Sequence, residues 1–262
     1  CDFAAREIRR RLRLHGGRCR DYAIVARNLN DYHGILDAAL QKQGIPFIID
    51  ERADILTEPL ITLALAALDT VTGGFDTDDI LRLLKTGLAG FSTRSVSLIE
   101  NYVLMWHING TRWRTEWTGN PDGLDVRLDS SAAKRLWFLN LLRRRIMRPL
   151  EKLHSALFSS GAKGQDFAKA LYQYLMDVRA DKLTRMRIYG LDKIGEHSLA
   201  ERMEQIWDLT MQLLDKIAVI YKDQPFKPKQ MTALLRMIAG FADMGSLPQS
   251  LDAEQVGAAD RI

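Results

Sequence analysis

Residues 21–49 read DYAIVARNLNDYHGILDAALQKQGIPFII. Tyr22-Ala23-Ile24-Val25-Ala26 is a short apolar run of strand type. Asn30 or Asp31 is placed to cap a helix whose apolar positions are Ile35, Leu36, Ala39 and Leu40. Gly44 is placed to end that helix, because glycine tolerates the left-handed conformation that follows a last turn. Pro46-Phe47-Ile48-Ile49 then reads as a second short strand. Strand, helix and strand with tight connections make a fragment of an α/β domain. Two strands leave their sheet edges open, so partner strands are expected outside this chain or at its far end. There Glu254-Gln255-Val256 is a candidate strand start, within a tail, Leu251 to Ile262, too short to classify by itself.

Outward from this stretch the pattern is helical. Residues 2–14 place Phe3, Ile8 and Leu12 among arginines at helical spacing. From about residue 57, Leu60, Leu63, Ala64, Ala67, Leu68 and Val71 form one apolar face closed by Gly73-Gly74. Thr77 is expected to cap a short helix running to Gly87, and Ser97 with Glu100 forms a capping-box pattern ahead of Tyr102, Val103 and Trp106. Residues 109–130 read as a long loop that Trp113 and Trp117 can pin to the body. Three longer helices follow. The first runs from about 131, with Pro149 as a kink; the second passes through Phe167 and Val178. The third opens on a capping box, Ser198 to Glu201. A last helix after Pro228 is expected to stop near Gly245. The expected fold is therefore mainly α, at least eight helices in one body, with a small incomplete α/β portion built from the chain ends. Its parts are 1–56 (strand–helix–strand), 57–250 (helical) and 251–262 (return segment).

The chain has 262 residues, 47% of them hydrophobic and 27% charged, which suits a packed globular protein and not a disordered one. Its longest apolar run, Leu60 to Val71, carries Asp69 and is too short for a bilayer, so no membrane partner is expected. Cys1-Asp2-Phe3-Ala4-Ala5-Arg6 lacks the continuous apolar stretch of a secretory leader, and a cytoplasmic setting is expected. Beginning at Cys and stopping at Asp260-Arg261-Ile262, the chain reads as a piece of something longer. Two cysteines cannot build a disulfide framework or a four-cysteine metal or iron–sulfur site.

Catalytic motifs are missing. The Gly-x-x-x-x-Gly-Lys-Ser/Thr pattern that cradles nucleotide phosphates does not occur, and the five histidines are scattered without metal-ligand spacing. Asp78-Asp79 stands at a helix start, where acids complement the macrodipole, and is not read as a catalytic pair. No catalytic, cofactor or metal residue is assigned. Polyanion contact remains. The net charge of +4 is mild, but arginines are bunched. Arg143, Arg144, Arg145 and Arg148 fill one helical turn without acids at i±4, and Lys182, Arg185 and Arg187 form a second group. Arg112 and Arg114 lie beside Trp113 and Trp117, a set that can grip a phosphate backbone and stack on a base, or equally fold its indoles onto the core. These nine cations are the candidate DNA contacts. The alternative is a protein–protein scaffold whose basic helices dock an acidic partner and touch no DNA.

Residues 21–27, then Tyr32, Leu36, 44–50 and Pro59-Leu60, resemble the part of UvrD-like helicases where the second RecA-like domain runs into its inserted helical domain, called 2B. The version here is most similar to B subunits of AddAB-type helicase–nucleases. Leu84-Lys85-Thr86-Gly87-Leu88, Glu100-Asn101-Tyr102-Val103-Leu104 and Gly110-Thr111-Arg112-Trp113 match the same family. Residues 255–261 resemble the return strand into the RecA-like domain. The resemblance implies a 2B-like insertion between split RecA-like parts, DNA and a helicase–nuclease A subunit as partners, and a parent enzyme acting in recombinational repair of double-strand breaks. It also implies ATP, Mg and an iron–sulfur cluster in that parent, none of them bound by this segment. Arg27 falls where active relatives place a residue near the nucleotide, but no ATP role is assigned to it.

Overall fold

A computed structural model describes all residues except 16, 28, 33, 50–54, 125, 242–255 and 261–262. The chain is mainly α, with ten α-helices among the described residues. It divides into two compact units, one of residues 1–54 with 242–262 and one of residues 55–241.

The first unit holds α1 (Asp2–His15), β1 (Ala23–Ala26), α2 (Ile35–Lys42), β2 (Phe47–Ile49) and β3 (Val256–Asp260). The strands form one parallel sheet in the order β1-β3-β2. The last strand thus lies between the first two: Ala23 pairs with Gly257 and Phe47 with Val256. This satisfies one edge of each early strand, the partnership that the open edges of 21–49 demanded. Val256 is fully buried and packs with Ala5, Ile8, Leu29, Leu36, Ala39, Leu40 and Ile45, so α1 and α2 close over the sheet through this core. Gly44 follows α2 at φ +62, as its place requires. The other end of α2 differs from expectation. Residues 29–32 form a 3-10 turn, and Gly34 takes the N-cap position with its N–H donating to the Asp37 carboxylate at 3.3 Å. The expected strand start at Glu254-Gln255 lies outside the described residues; the strand begins at Val256.

The second unit is built round α3 (Pro59–Gly73). Ten of its residues are buried, including Leu63, Ala66, Ala67 and Leu68 at or near zero exposure. A helix apolar over most of its circumference is stable only inside a body, where each large aliphatic side chain contributes about 1.5–3 kcal/mol. Its alanines let α4 (Thr77–Lys85), α6 (Ser130–Leu157), α9 (His197–Ile220) and α10 (Pro228–Phe241) pack against it. Asp69 sits at the surface of α3 and pairs with Arg82 of α4 (2.5 Å) and Arg236 of α10 (2.6 Å). Around this pillar stand α5 (Thr93–Met105), α7 (Gly164–Asp177) and α8 (Ala180–Lys193).

Several helix starts depart from the sequence reading. Asp76, not Thr77, caps α4, accepting from Asp78 N at 2.9 Å. The cap of α5 is Ser92, and Ser97 lies inside the helix with its hydroxyl donating to Thr93 O. α9 begins at His197, so its expected box falls within the first turn. α8 was not expected as a helix at all. The expected stop of α10 near Gly245 lies outside the described residues.

Candidate nucleic-acid interface

The long helix α6 buries Leu139, Leu142, Ile146, Leu150 and Leu153, and this phase decides the fate of its arginines. Arg143 stands four residues after Leu139 and three before Ile146, on the buried face. It is 7% exposed; its Nη1 donates to Trp113 O at 2.9 Å and its Nε to Asn140 Oδ1 at 3.2 Å. Burial, with the charge of Arg144 beside it, lowers the guanidinium pKa. Asn140 completes the clamp, accepting from Trp117 N at 3.0 Å and donating to Trp117 O at 2.9 Å. Trp113 and Trp117 are buried, with ring centroids 5.2 Å apart, so neither indole can stack on a base. Thr77 links the same cluster, donating to Ile108 O at 2.5 Å and accepting from Trp113 Nε1 at 2.9 Å. Of the candidate DNA contacts, Arg143 is therefore corrected to a packing residue, because its N–H groups face the Trp113 carbonyl of the loop and the Asn140 side chain of α6. Arg112 and Arg114 are exposed but held locally. Arg112 donates to Trp106 O (3.0 Å) and His107 O (3.1 Å) at the end of α5, and Arg114 lies 4.3 Å from the Phe75 ring centroid.

Arg144, Arg145 and Arg148 emerge on the opposite side of α6, all exposed. With Lys152 of α6, Asp177 of α7 and Arg179 at the α7–α8 junction they line a groove of about 810 Å³. Five cationic residues thus face one carboxylate. That carboxylate is already engaged: Lys152 Nζ lies 2.9 Å from Asp177 Oδ2 and holds its pKa below the usual carboxylate range. Arg145 donates to Gly90 O at 2.9 Å and lies 4.9 Å from the Phe91 centroid, contacts that orient its charge without cancelling it. Arg144, Arg148 and Arg179 have no side-chain hydrogen bond or ion pair among the described residues. Arg179 adopts φ +61, a left-handed conformation costing roughly 1–2 kcal/mol in a non-glycine residue.

Arg187 of α8 reaches the same short loop, 86–91, from its other end, with long contacts of 3.4 and 3.5 Å to Thr86 O. Gly87 there has φ +68, and a Cβ on it would collide with the Arg187 guanidinium. The 143–148 group and Arg187 are thus brought to one loop. Lys182 and Arg185 are exposed on α8, and Arg112 and Arg114 do not line the groove. Lys152 and Arg179 were missed in the sequence; each is a single cation whose placement comes from helix packing. Among the described residues no three His, Cys, Asp or Glu side chains gather as a metal site, and no helix is long and apolar enough to cross a membrane.

The fold and this groove define a class: a helical body presenting unneutralised guanidinium groups, spliced between strands of one parallel sheet. No family model matches the chain. Over nearly its whole length it is similar to proteins named as the B subunit of an ATP-dependent helicase/deoxyribonuclease. The relative from Acetivibrio thermocellus is 30% identical across 99% of this chain and 23% of its own length. That from Clostridium novyi is 29% identical across 94% and 21% respectively, and that from Ruminiclostridium cellulolyticum 27% across 98% and 23%. The chain is a homologue of a segment of these ATP-dependent helicase/deoxyribonuclease B subunits, and it spans under a quarter of their length.

Proposed function

We propose that the chain is a non-catalytic, DNA-handling segment of a helicase–nuclease B subunit working in double-strand break repair, and that its basic groove holds the phosphate backbone. The observation that carries this is the set Arg144, Arg145, Arg148 and Arg179, four guanidinium groups lining one groove with no carboxylate ion-pair partner among the described residues. Guanidinium forks match phosphate oxygens, and backbone contacts of this kind position a duplex without reading its sequence. In this reading ATP with Mg and the iron–sulfur cluster belong to other parts of a longer protein. The residues here do not fit either group: no phosphate-cradling glycine loop occurs, and two cysteines cannot supply the four thiolates of a cluster. Partners are DNA and a second helicase–nuclease subunit.

Four such contacts give a log–log salt slope near −3.6, hence on the order of a hundredfold loss of affinity between about 50 and 200 mM salt. Fluorescence anisotropy with a blunt duplex tests this. Replacing Arg144, Arg145 and Arg148 together with alanine is expected to abolish most of the salt-sensitive binding. No binding by the parent chain at low salt refutes the reading. One observation favours a scaffold instead: Trp137, Phe138 and Leu141 are exposed on α6, apolar surface that a helical partner can cover. Binding to a partner subunit with none to duplex is its signature.

A further inference from the structure

Beside the loop 86–91 lies a second cavity of about 320 Å³, lined by aliphatic side chains of α3, α8 and α9 and the loop, among them Leu60, Leu88, Leu191, Met203 and Ile206. Two polar features distinguish it. Thr184 is 4% exposed, and its Oγ1 is buried with no hydrogen-bond partner among the described residues. The other buried threonines all donate to a carbonyl: Thr70 to Ala66 O (2.7 Å), Thr77 to Ile108 O (2.5 Å), Thr210 to Ile206 O (2.6 Å) and Thr232 to Pro228 O (3.0 Å). The Thr184 hydroxyl is an exception to this rule of the fold. Arg187 stands three residues on, so the two donors share one face of α8 a single turn apart. Its only hydrogen bonds among the described residues are the two long ones to Thr86 O, near the limit of a hydrogen bond.

Charge narrows the choice of ligand. Arg202 also lines the cavity but is bound to Glu58, with Nε 2.9 Å from Oε1. Two guanidinium groups and one carboxylate leave a single positive charge, that of Arg187. We infer that this cavity is a binding site for a small organic monoanion, its carboxylate head held by Thr184 and Arg187 and its compact apolar body lying against Leu88, Leu191 and Met203. An apolar slot with a few convergent polar groups is the usual make-up of a small-molecule site.

Carbon-13 methyl spectra of the full chain, titrated with naphthalene-2-carboxylate, test the site. Saturable shifts are expected at the methyls of Leu88, Leu191, Met203 and Ile206. Arg187→Gln is expected to weaken binding about tenfold or more, as loss of a charged hydrogen bond does. Naphthalene-2-methanol, the uncharged analogue, is expected to bind the parent chain as weakly as the acid binds that variant. Thr184→Val is expected to weaken the acid less, by about threefold to tenfold. No saturable shift at millimolar probe overturns the site. So do shifts at other methyls, or equal binding of the acid by the parent chain and Arg187→Gln.

Discussion

Two parts of this molecule are rich in arginine and aromatic residues, and they use them in opposite ways. In the loop 109–129, with the residues that hold it, the indole donors are matched to acceptors within the chain. Trp106 Nε1 donates to Asn120 O, Trp113 Nε1 to Thr77 Oγ1 and Trp117 Nε1 to Arg112 O, while Arg143 reaches in from α6. In the groove between α6, α7 and the loop 86–91, the side chains of Arg144, Arg148 and Arg179 meet no acceptor among the described residues, and the single acid is held by Lys152. An arginine cluster in sequence therefore splits by helix phase into a part that builds the fold and a part that is available to an external anion.

The contrast sets an order of expected effects. Arg143→Met should be the most damaging, because it strands the Trp113 carbonyl and one acceptor site of Asn140 in a buried place. About 2–3 kcal/mol of stability is expected to be lost in urea denaturation. Thr77→Val keeps the shape but removes one donor and one acceptor, and a loss of about 1–2 kcal/mol is expected by the same measurement. Gly87→Ala forces a Cβ into a left-handed position against Arg187, and roughly 1–2 kcal/mol is expected. Lys152→Ala should cost under about 1 kcal/mol, since the pair is partly exposed. Its sign with pH is defined. Asp177 titrates lower folded than unfolded, so the pair's contribution is full above the ordinary carboxylate range and fades as pH falls through the depressed value. The variant is expected to differ from the parent near neutral pH and converge with it in strong acid, followed by melting temperature against pH.

Much of this was legible in the residues. The apolar face of α3 with its Gly73-Gly74 stop, the strand–helix–strand of 21–49, and the need for partner strands, outside the chain or at its far end, follow from periodicity and open edges. That the last strand inserts between the first two does not follow, because strand order depends on which edge the returning chain reaches. α8 escaped notice because it buries only Ala180 and Thr184 and so lacks an apolar stripe. The capping-box pattern at Ser97 misled because Ser92 offers an equally good cap one turn earlier, and packing decides between them. The inward turn of Arg143 was available, since its spacing from Leu139 and Ile146 places it on the core face; only its charge argued otherwise. Arg179 carried no signal, because its place depends on how α7 and α8 meet.

The division between inward and outward arginines is tested most directly by measuring duplex affinity against salt and unfolding free energy for two variants side by side. Arg144→Gln/Arg148→Gln is expected to flatten the log–log salt slope by about 1.8 while leaving stability within about 0.5 kcal/mol. Arg143→Gln is expected to do the reverse, losing stability while the folded protein keeps its slope. A slope unchanged in the double variant, or flattened equally by Arg143→Gln, would contradict the assignment of the groove to phosphate.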